Sequence, residues 1–169
     1  VLSFARQDRQ KLKLNIRSTN VDDIINSVLA HFTPLLTKKE IACTVNQKAS
    51  KSIPADPDAI EQILGNLLSN VEKYVQKTGE VLIESSQSNK ETIISVSDNG
   101  PGVPKDQKKK IFKAFHRISS RNADGVSGTG IGLSISKELA YLHGGDLILM
   151  PTEKGAKFIL TIPHTGAQL

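Results

Sequence analysis

Asp124 to Ser136 reads DGVSGTGIGLSIS, four glycines within eight residues followed by an apolar run compatible with a helix. Its spacing excludes two familiar phosphate-binding folds. A P-loop requires Lys and then Ser or Thr directly after its last glycine, whereas Gly130 is followed by Ile131 and Gly132. A dinucleotide fingerprint requires a third glycine three residues after Gly130, where Leu133 stands, and no strand pattern leads into the run. A glycine cluster that opens a helix still offers an anion free backbone N–H groups and the positive end of the helix dipole. At this level the stretch reads as an anion site or as a flexible loop.

The helix begun here runs from about Ile131 to His143, with Gly144 as its C-terminal cap. DLILM (146–150) and AKFILTI (156–162) form one hairpin; EVLIES (80–85) and TIISVSD (92–98), joined by a polar turn at Ser88 and Asn89, form another. LKLNIR (12–17) alternates Leu12, Leu14 and Ile16, and IACTV (41–45) alternates Ile41, Cys43 and Val45, two further strands with Cys43 in a core position. A helix opens with a capping box, Thr19 to Asp22, and places Val21, Ile25, Val28, Leu29 and Phe32 on one face. A second opens with Asp56 as N-cap and Pro57 in the first helical position. From Asn99 to Gly128 strand periodicity is lost around the lysine run KDQKKKIFK, which predicts a long mobile insert with one short helix. Three amphipathic helices and these strands predict an α+β fold, a two-layer α/β sandwich with a mixed sheet.

The 169 residues, 38% hydrophobic, suffice for one core and one domain. A net charge of +5 suits nucleic acid or a polyphosphate ligand, but aromatic residues are only 4% and show no base-stacking pattern. One cysteine excludes a disulfide framework, which fits a reducing cytoplasm, and there is no signal peptide or bilayer-length apolar run. A start at Val1, with Met150 the only methionine, points to a piece of a longer polypeptide.

On the second helix, at about 100° per residue, Ile60, Ile63, Leu64, Leu67, Leu68, Val71 and Val75 form an apolar arc, and Gln62, Asn66, Asn70 and Lys73 fall together on its flank. Amide oxygens suit a hard divalent ion and an ammonium suits phosphate; a plain solvated edge is the alternative. Glu61 and Glu72 project from the opposite flank. Asp98 is in phase with the inward Ile94 and Val96 and needs a partner. The break at Asn99, Gly100, Pro101 and Gly102 opens space beside it for a flat ligand with an amino donor; a turn-capping Asp is the alternative.

Taken in order, NLLSNVEKY (66–74), DNGPGVP (98–104), IFKAF (111–115) and GTGIGLSIS (128–136) resemble the N box, first glycine box, phenylalanine box and second glycine box of the catalytic and ATP-binding domain of sensor histidine kinases. The resemblance runs from about Leu12 onward and places the chain beside gyrase, Hsp90 and mismatch-repair ATPases, with the Bergerat ATP-binding fold and a mobile ATP lid. It implies a domain over 12–169, preceded over 1–11 by the end of a dimerisation helix and a join. By that resemblance Asp98 accepts from the adenine amino group, Gly100 and Gly102 let backbone approach the base, and Asn70 binds magnesium. Asn66 and Lys73 stand near the phosphates, Tyr74 beside the nucleotide and Arg117 at the terminal phosphate. Asn66, Lys73 and Arg117 take the catalytic roles. Gly128, Thr129, Gly130 and Gly132 form the lid hinge and phosphate cradle, with Leu133 packing beneath. Val71 and Val75 stand where the family has smaller Ala and Thr, a packing adjustment.

The implied function is binding of Mg-ATP and supply of its γ-phosphoryl group to a histidine on a separate dimerisation domain, in two-component signalling. The implied partners are that domain and a response-regulator receiver domain, with no nucleic acid, the fragment monomeric and the full-length protein a homodimer. The alternatives are an ATPase of the same superfamily, disfavoured because Asn66 stands where such enzymes carry a water-activating glutamate, and a basic nucleic-acid-binding module. His31, despite the faintly phosphoacceptor-like AHFTPLL, reads as structural. His116 is expected exposed in the lid, His143 as a partly cationic ring at a helix end, and His164 near a frayed terminus. The run Lys105, Lys108, Lys109, Lys110 and Lys113 reads as a solvated face.

Overall fold

The computed structural model describes residues 13–116 and 130–165. In chain order the elements are β1 (Arg17–Thr19), α1 (Val21–Lys38), β2 (Ala42–Asn46), β3 (Ile53–Ala55), α2 (Pro57–Tyr74), β4 (Glu80–Gln87), β5 (Glu91–Asp98), α3 (Gly132–Leu142), β6 (Asp146–Met150) and β7 (Lys157–Pro163). Five strands form one mixed sheet in the order β2-β4-β5-β7-β6, with β2–β4 parallel and the rest antiparallel; β1 and β3 pair separately. Alternate residues of the sheet, among them Val81, Ile83, Ile94, Val96, Leu147, Phe158 and Leu160, meet the α2 arc of Ile60, Ile63, Leu64, Leu67, Leu68 and Val71 in one core. The two-layer α+β sandwich is as expected.

Several local signals play out differently. The α1 cap is Asn20, whose Oδ1 accepts from the Asp22 and Asp23 N–H groups (3.0 and 3.3 Å). Thr19 cannot serve, because it ends β1 and its hydroxyl donates to Ala55 O (2.9 Å). The strand foreseen over 12–17 is confined to Arg17–Thr19, since its partner β3 is itself three residues long and contains Pro54, opposite Ser18. Cys43 is exposed, because β2 lies at the edge of the sheet with all five of its residues exposed. Pro104 to His116 is a chain of turns, N–H groups bonding back three or four residues, with no helix. Val75 finds its room at Gly79, where a Cβ would fall 2.2 Å from Val75 Cγ1.

The α2 and α3 helices are joined at two points. Asn66 Nδ2 donates to Gly132 O (3.0 Å) and Ser136 Oγ (2.9 Å). At the far end the Asp56 N–H donates to Nε2 of the buried His143 (3.1 Å), while Asp56 Oδ1 accepts from the Asp58 and Ala59 N–H groups as the α2 cap. His143 Nδ1 donates to Leu139 O (2.8 Å), so both ring nitrogens are committed in the neutral form. This corrects the expected cationic ring: a proton on Nε2 would face the Asp56 N–H. The two joins lie about 15 Å apart along α2 and about 16 Å apart along α3, which fixes an antiparallel register.

Candidate functional site

A cavity of about 340 Å³ opens between α2, the end of β5, the segment after it, the start of α3 and β7. From α2 come Asn66, Ser69, Asn70, Lys73 and Tyr74, one flank of a helix whose other side is locked in the core. Gln62, expected on that flank, is exposed one turn too early to reach the cavity, and Glu61 and Glu72 stay clear of it. The opposite wall is Asp98, Pro101, Gly102, Val103 and Pro104, with Ala156 and Phe158 from the sheet. Gly130, Gly132 and Leu133 close the third side with Ile111 and His116.

Asp98 is set at the end of β5 by pairing with Val81. Its Oδ1 accepts from the Gly100 N–H (2.8 Å) and the Ala156 N–H (3.4 Å), and among the described residues Oδ2 has no partner. Burial pushes its carboxyl up from the ordinary value, against the pull of those two N–H groups. A half-buried, one-sided acceptor in a cavity otherwise rich in apolar surface is suited to a neutral donor on a flat ligand. The close packing here depends on glycine. Gly102 has φ +71 and its Cβ would lie 2.7 Å from Gly155 O; a Cβ on Gly155 would strike Asp98 O at 1.8 Å.

At the other end of the cavity Gly132 carries no Cβ into the Asn66 carboxamide, 3.3 Å away. The Gly132 carbonyl only accepts, so Asn66 must turn its NH₂ inward and its Oδ1 away. Asn70 and Lys73 add an amide and an ammonium on successive turns. Tyr74, 45% exposed, flanks the mouth. Of the thirteen expected contact positions, nine are brought together here: Asn66, Asn70, Lys73, Tyr74, Asp98, Gly102, Gly130, Gly132 and Leu133. Gly100 does not line the cavity but orients Asp98 through its N–H. Arg117, Gly128 and Thr129 lie outside the described residues.

Sequence reasoning missed Ser69, His116, Ala156 and Phe158. Ser69 was findable, since it sits four residues before Lys73 on the same flank. His116 is not the exposed side chain expected: it is half-buried, its Nε2 2.8 Å from Gln107 Oε1. Ala156 and Phe158 arrive through the β5–β7 pairing, which no local pattern announces. Of the lysine run, Lys105, Lys109, Lys110 and Lys113 form the solvated face expected, while Lys108 is half-buried. A larger concavity of about 660 Å³ lies over β2, β4, β5 and β7; its Glu84 and Lys157 stand 3.8 Å apart, and none of the expected residues reaches it.

Residues 55–166 match the family model described as histidine kinase-, DNA gyrase B- and HSP90-like ATPase. The sensor histidine kinase TmoS of Ectopseudomonas mendocina is 30% identical over 96% of this chain and 17% of its own length. The sensor histidine kinase WalK of Bacillus subtilis is 36% identical over 69% of this chain and 20% of its own. The chain thus spans about a fifth of these curated relatives. Among solved structures, the catalytic domain of histidine kinase ThkA superposes with a TM-score of 0.80 at 28% identity, covering 89% of this chain and 97% of that one. Full-length ShkA in complex with AMPPNP superposes with a TM-score of 0.78 at 27% identity, covering 93% of this chain and 33% of ShkA. With its family model spanning the α2 flank, Asp98 and the α3 start together, the chain belongs to the histidine kinase-, DNA gyrase B- and HSP90-like ATPase family, in the form of a sensor histidine kinase catalytic domain.

Proposed function

We propose that this chain binds Mg-ATP and presents the γ-phosphoryl group to a histidine carried by a separate dimerisation domain, the first step of two-component signalling. The observation that carries the reading is Asp98: one carboxylate oxygen is held by backbone N–H groups and the other is left to accept from an adenine amino group. Gly102 brings backbone to the base, and Tyr74 flanks it. The glycine-flanked start of α3 then faces the phosphates, with Lys73 supplying positive charge; Gly128, Thr129 and Arg117, which the resemblance assigns to the same end, lie outside the described residues.

The residues present fit magnesium in one way. Among the described residues no cluster of three His, Cys, Asp or Glu could hold a metal by itself. Asn70 offers one amide oxygen, and Asn66, its NH₂ committed to α3, offers another that suits a metal-bound water. Such a sparse set suits an ion shared with phosphate oxygens, where it would neutralise charge on the transferring group. Lys73 would orient that group, with Arg117 in the role that the resemblance implies.

Asp98 is the only carboxylate among the described lining residues, and it is committed at the purine end. Among the described residues no carboxylate is therefore placed to activate water, which favours transfer over hydrolysis. None of the four histidines is set as acceptor: His31 bonds to the Ser27 carbonyl of its own helix, His143 is buried, His164 lies beside Thr92 and His116 is engaged with Gln107. The acceptor and the response regulator that later takes the phosphoryl group belong to other domains, consistent with ThkA, which has been solved in complex with the response regulator TrrA. With labelled ATP and magnesium the chain alone should gain almost no acid-labile phosphate, and an added dimerisation domain should become labelled. Labelling of the chain itself, lost on replacing one histidine, or steady release of inorganic phosphate, would overturn the assignment.

A further inference from the structure

Because Pro104 to His116 forms turns and no helix, its place against the domain is set by side-chain contacts. Phe112 packs edge-on against Phe158, with ring centroids 6.3 Å apart and planes at 88°. Ile111 beside it is buried and, with Phe158, lines the cavity. Lys137 of α3 places its Nζ 5.1 Å from the centroid of the Phe112 ring. The same ammonium donates to Leu147 O (2.9 Å) and pairs with Asp146 Oδ1 (2.5 Å), both on β6. One cation thus ties α3, the edge of the sheet and the segment leading into the lid.

Lys137 does not line the cavity, so any influence on a ligand must pass through what it holds. We infer that Lys137 is a positioning residue: by holding Phe112 against α3 and β6 it sets where the Ile111–His116 stretch stands at the glycine end of the cavity, and so governs affinity for the phosphates and not for the purine. The segment has one backbone attachment to the same region, Phe115 N–H to Gly130 O (3.0 Å), and Phe115 itself is 73% exposed at φ +63. A strained residue with an exposed ring contributes little anchoring, which leaves the buried Ile111 and the Phe112 contact to carry it. The inference rests on the reading that ATP lies with its purine at Asp98 and its phosphates at Gly130 and Gly132.

The test compares Lys137→Met, which keeps the stem and removes the charge, with Lys137→Arg, which keeps a cation able to lie over the ring. Affinities for adenosine and for ATP are measured by calorimetry, and amide exchange of residues 111–115 without ligand. Lys137→Met should weaken ATP about two- to fivefold, the scale of a partly exposed cation–π contact, leave adenosine unchanged, and speed exchange; Lys137→Arg should restore both ATP affinity and slow exchange. Combined with Phe112→Leu, Lys137→Met should add no further loss, because both remove the same contact. Equal losses for adenosine and ATP, additive losses with Phe112→Leu, or unchanged exchange would overturn the inference. Should Lys137→Met fail to fold, Asp146→Asn, which removes the charged one of the two ties that hold the ammonium to β6, is expected to show the same pattern in weaker form, and its absence overturns the inference equally. Wild-type protein that binds neither ligand would sink the ATP reading instead, while the exchange experiment still decides the role of Lys137.

Discussion

Replacing Asp98 by Asn reverses what the site presents to a purine. Two backbone N–H groups, from Gly100 and Ala156, hold Oδ1. In Asp98→Asn those donors select the amide oxygen, so the NH₂ group takes the place of the free oxygen and meets the adenine amino group donor to donor. A hydrogen bond with one charged partner contributes about 1.5 to 3 kcal/mol, so ATP affinity should fall about ten- to a hundredfold. A 6-oxopurine offers an acceptor at that position, so inosine triphosphate should gain on ATP and match or exceed it in the variant. Stability should move the other way. The Asp98 carboxyl is raised in the folded state, mainly by burial, so the folded protein holds a proton that the unfolded chain has released. Between the unfolded and folded pKa values stability therefore falls as pH rises, and above both the ionised carboxylate is a net cost. At neutral pH the unliganded Asp98→Asn domain should melt at the same temperature or higher. The same titration should weaken ATP binding in wild type as pH drops through the raised Asp98 pKa, at a higher pH than an ordinary carboxylate would require. The assay is calorimetric titration of both nucleotides into both proteins, with melting by circular dichroism. Unchanged ATP affinity and no gain for inosine triphosphate, in a folded variant, would remove Asp98 from the purine site.

Asn70→Ala should leave magnesium-free binding of adenosine intact and abolish the gain that magnesium gives to ATP; an equal magnesium effect in both proteins would refute the ligand assignment. His143→Phe fills the same space but strands the buried Asp56 N–H, a cost of about 1 to 3 kcal/mol that urea melts should show, whereas unaltered stability would mean water or another acceptor takes its place. Cys43 should react with a thiol reagent in the folded protein, since its strand is exposed at the sheet edge. Partial burial pushes its thiol up, so reaction should be slow at neutral pH and accelerate as pH rises; reaction only after unfolding would place it in the core.

What was legible in the sequence was what local geometry decides. Asp56 and Pro57 are a local helix-start signal, and period 3.6 placed Asn66, Asn70 and Lys73 on one flank without knowledge of what faces them. Asp98 followed from the two-residue period of its strand. Misreadings arose where a partner far along the chain competes for a group. Thr19 has the right side chain for a cap, but Ala55 O claims its hydroxyl. Cys43 alternates as a core residue does, yet alternation carries no information on whether a strand is central or at an edge. His143 looked like a helix-end cation because its acceptor role is set by Asp56, 87 residues away in sequence. The same distance problem hid Ala156 and Phe158, which only the pairing of β5 with β7 delivers to the cavity.

The join between Asn66 and Gly132 bears on how freely this domain can vary. It fixes one end of the segment between Asp98 and Gly132, and the grip of Gly100 and Ala156 on Asp98 fixes the other. Both anchors sit on the helix–sheet scaffold, so the two ends of the intervening chain are held in place whatever its length. The entropy of closing such a loop grows only with the logarithm of its length, about 0.6 kcal/mol for each doubling. Insertions that leave the buried Ile111 and the Phe112–Phe158 contact in place should barely change the folding free energy, so selection can lengthen the segment for turnover or partner choice while the scaffold stays equally foldable.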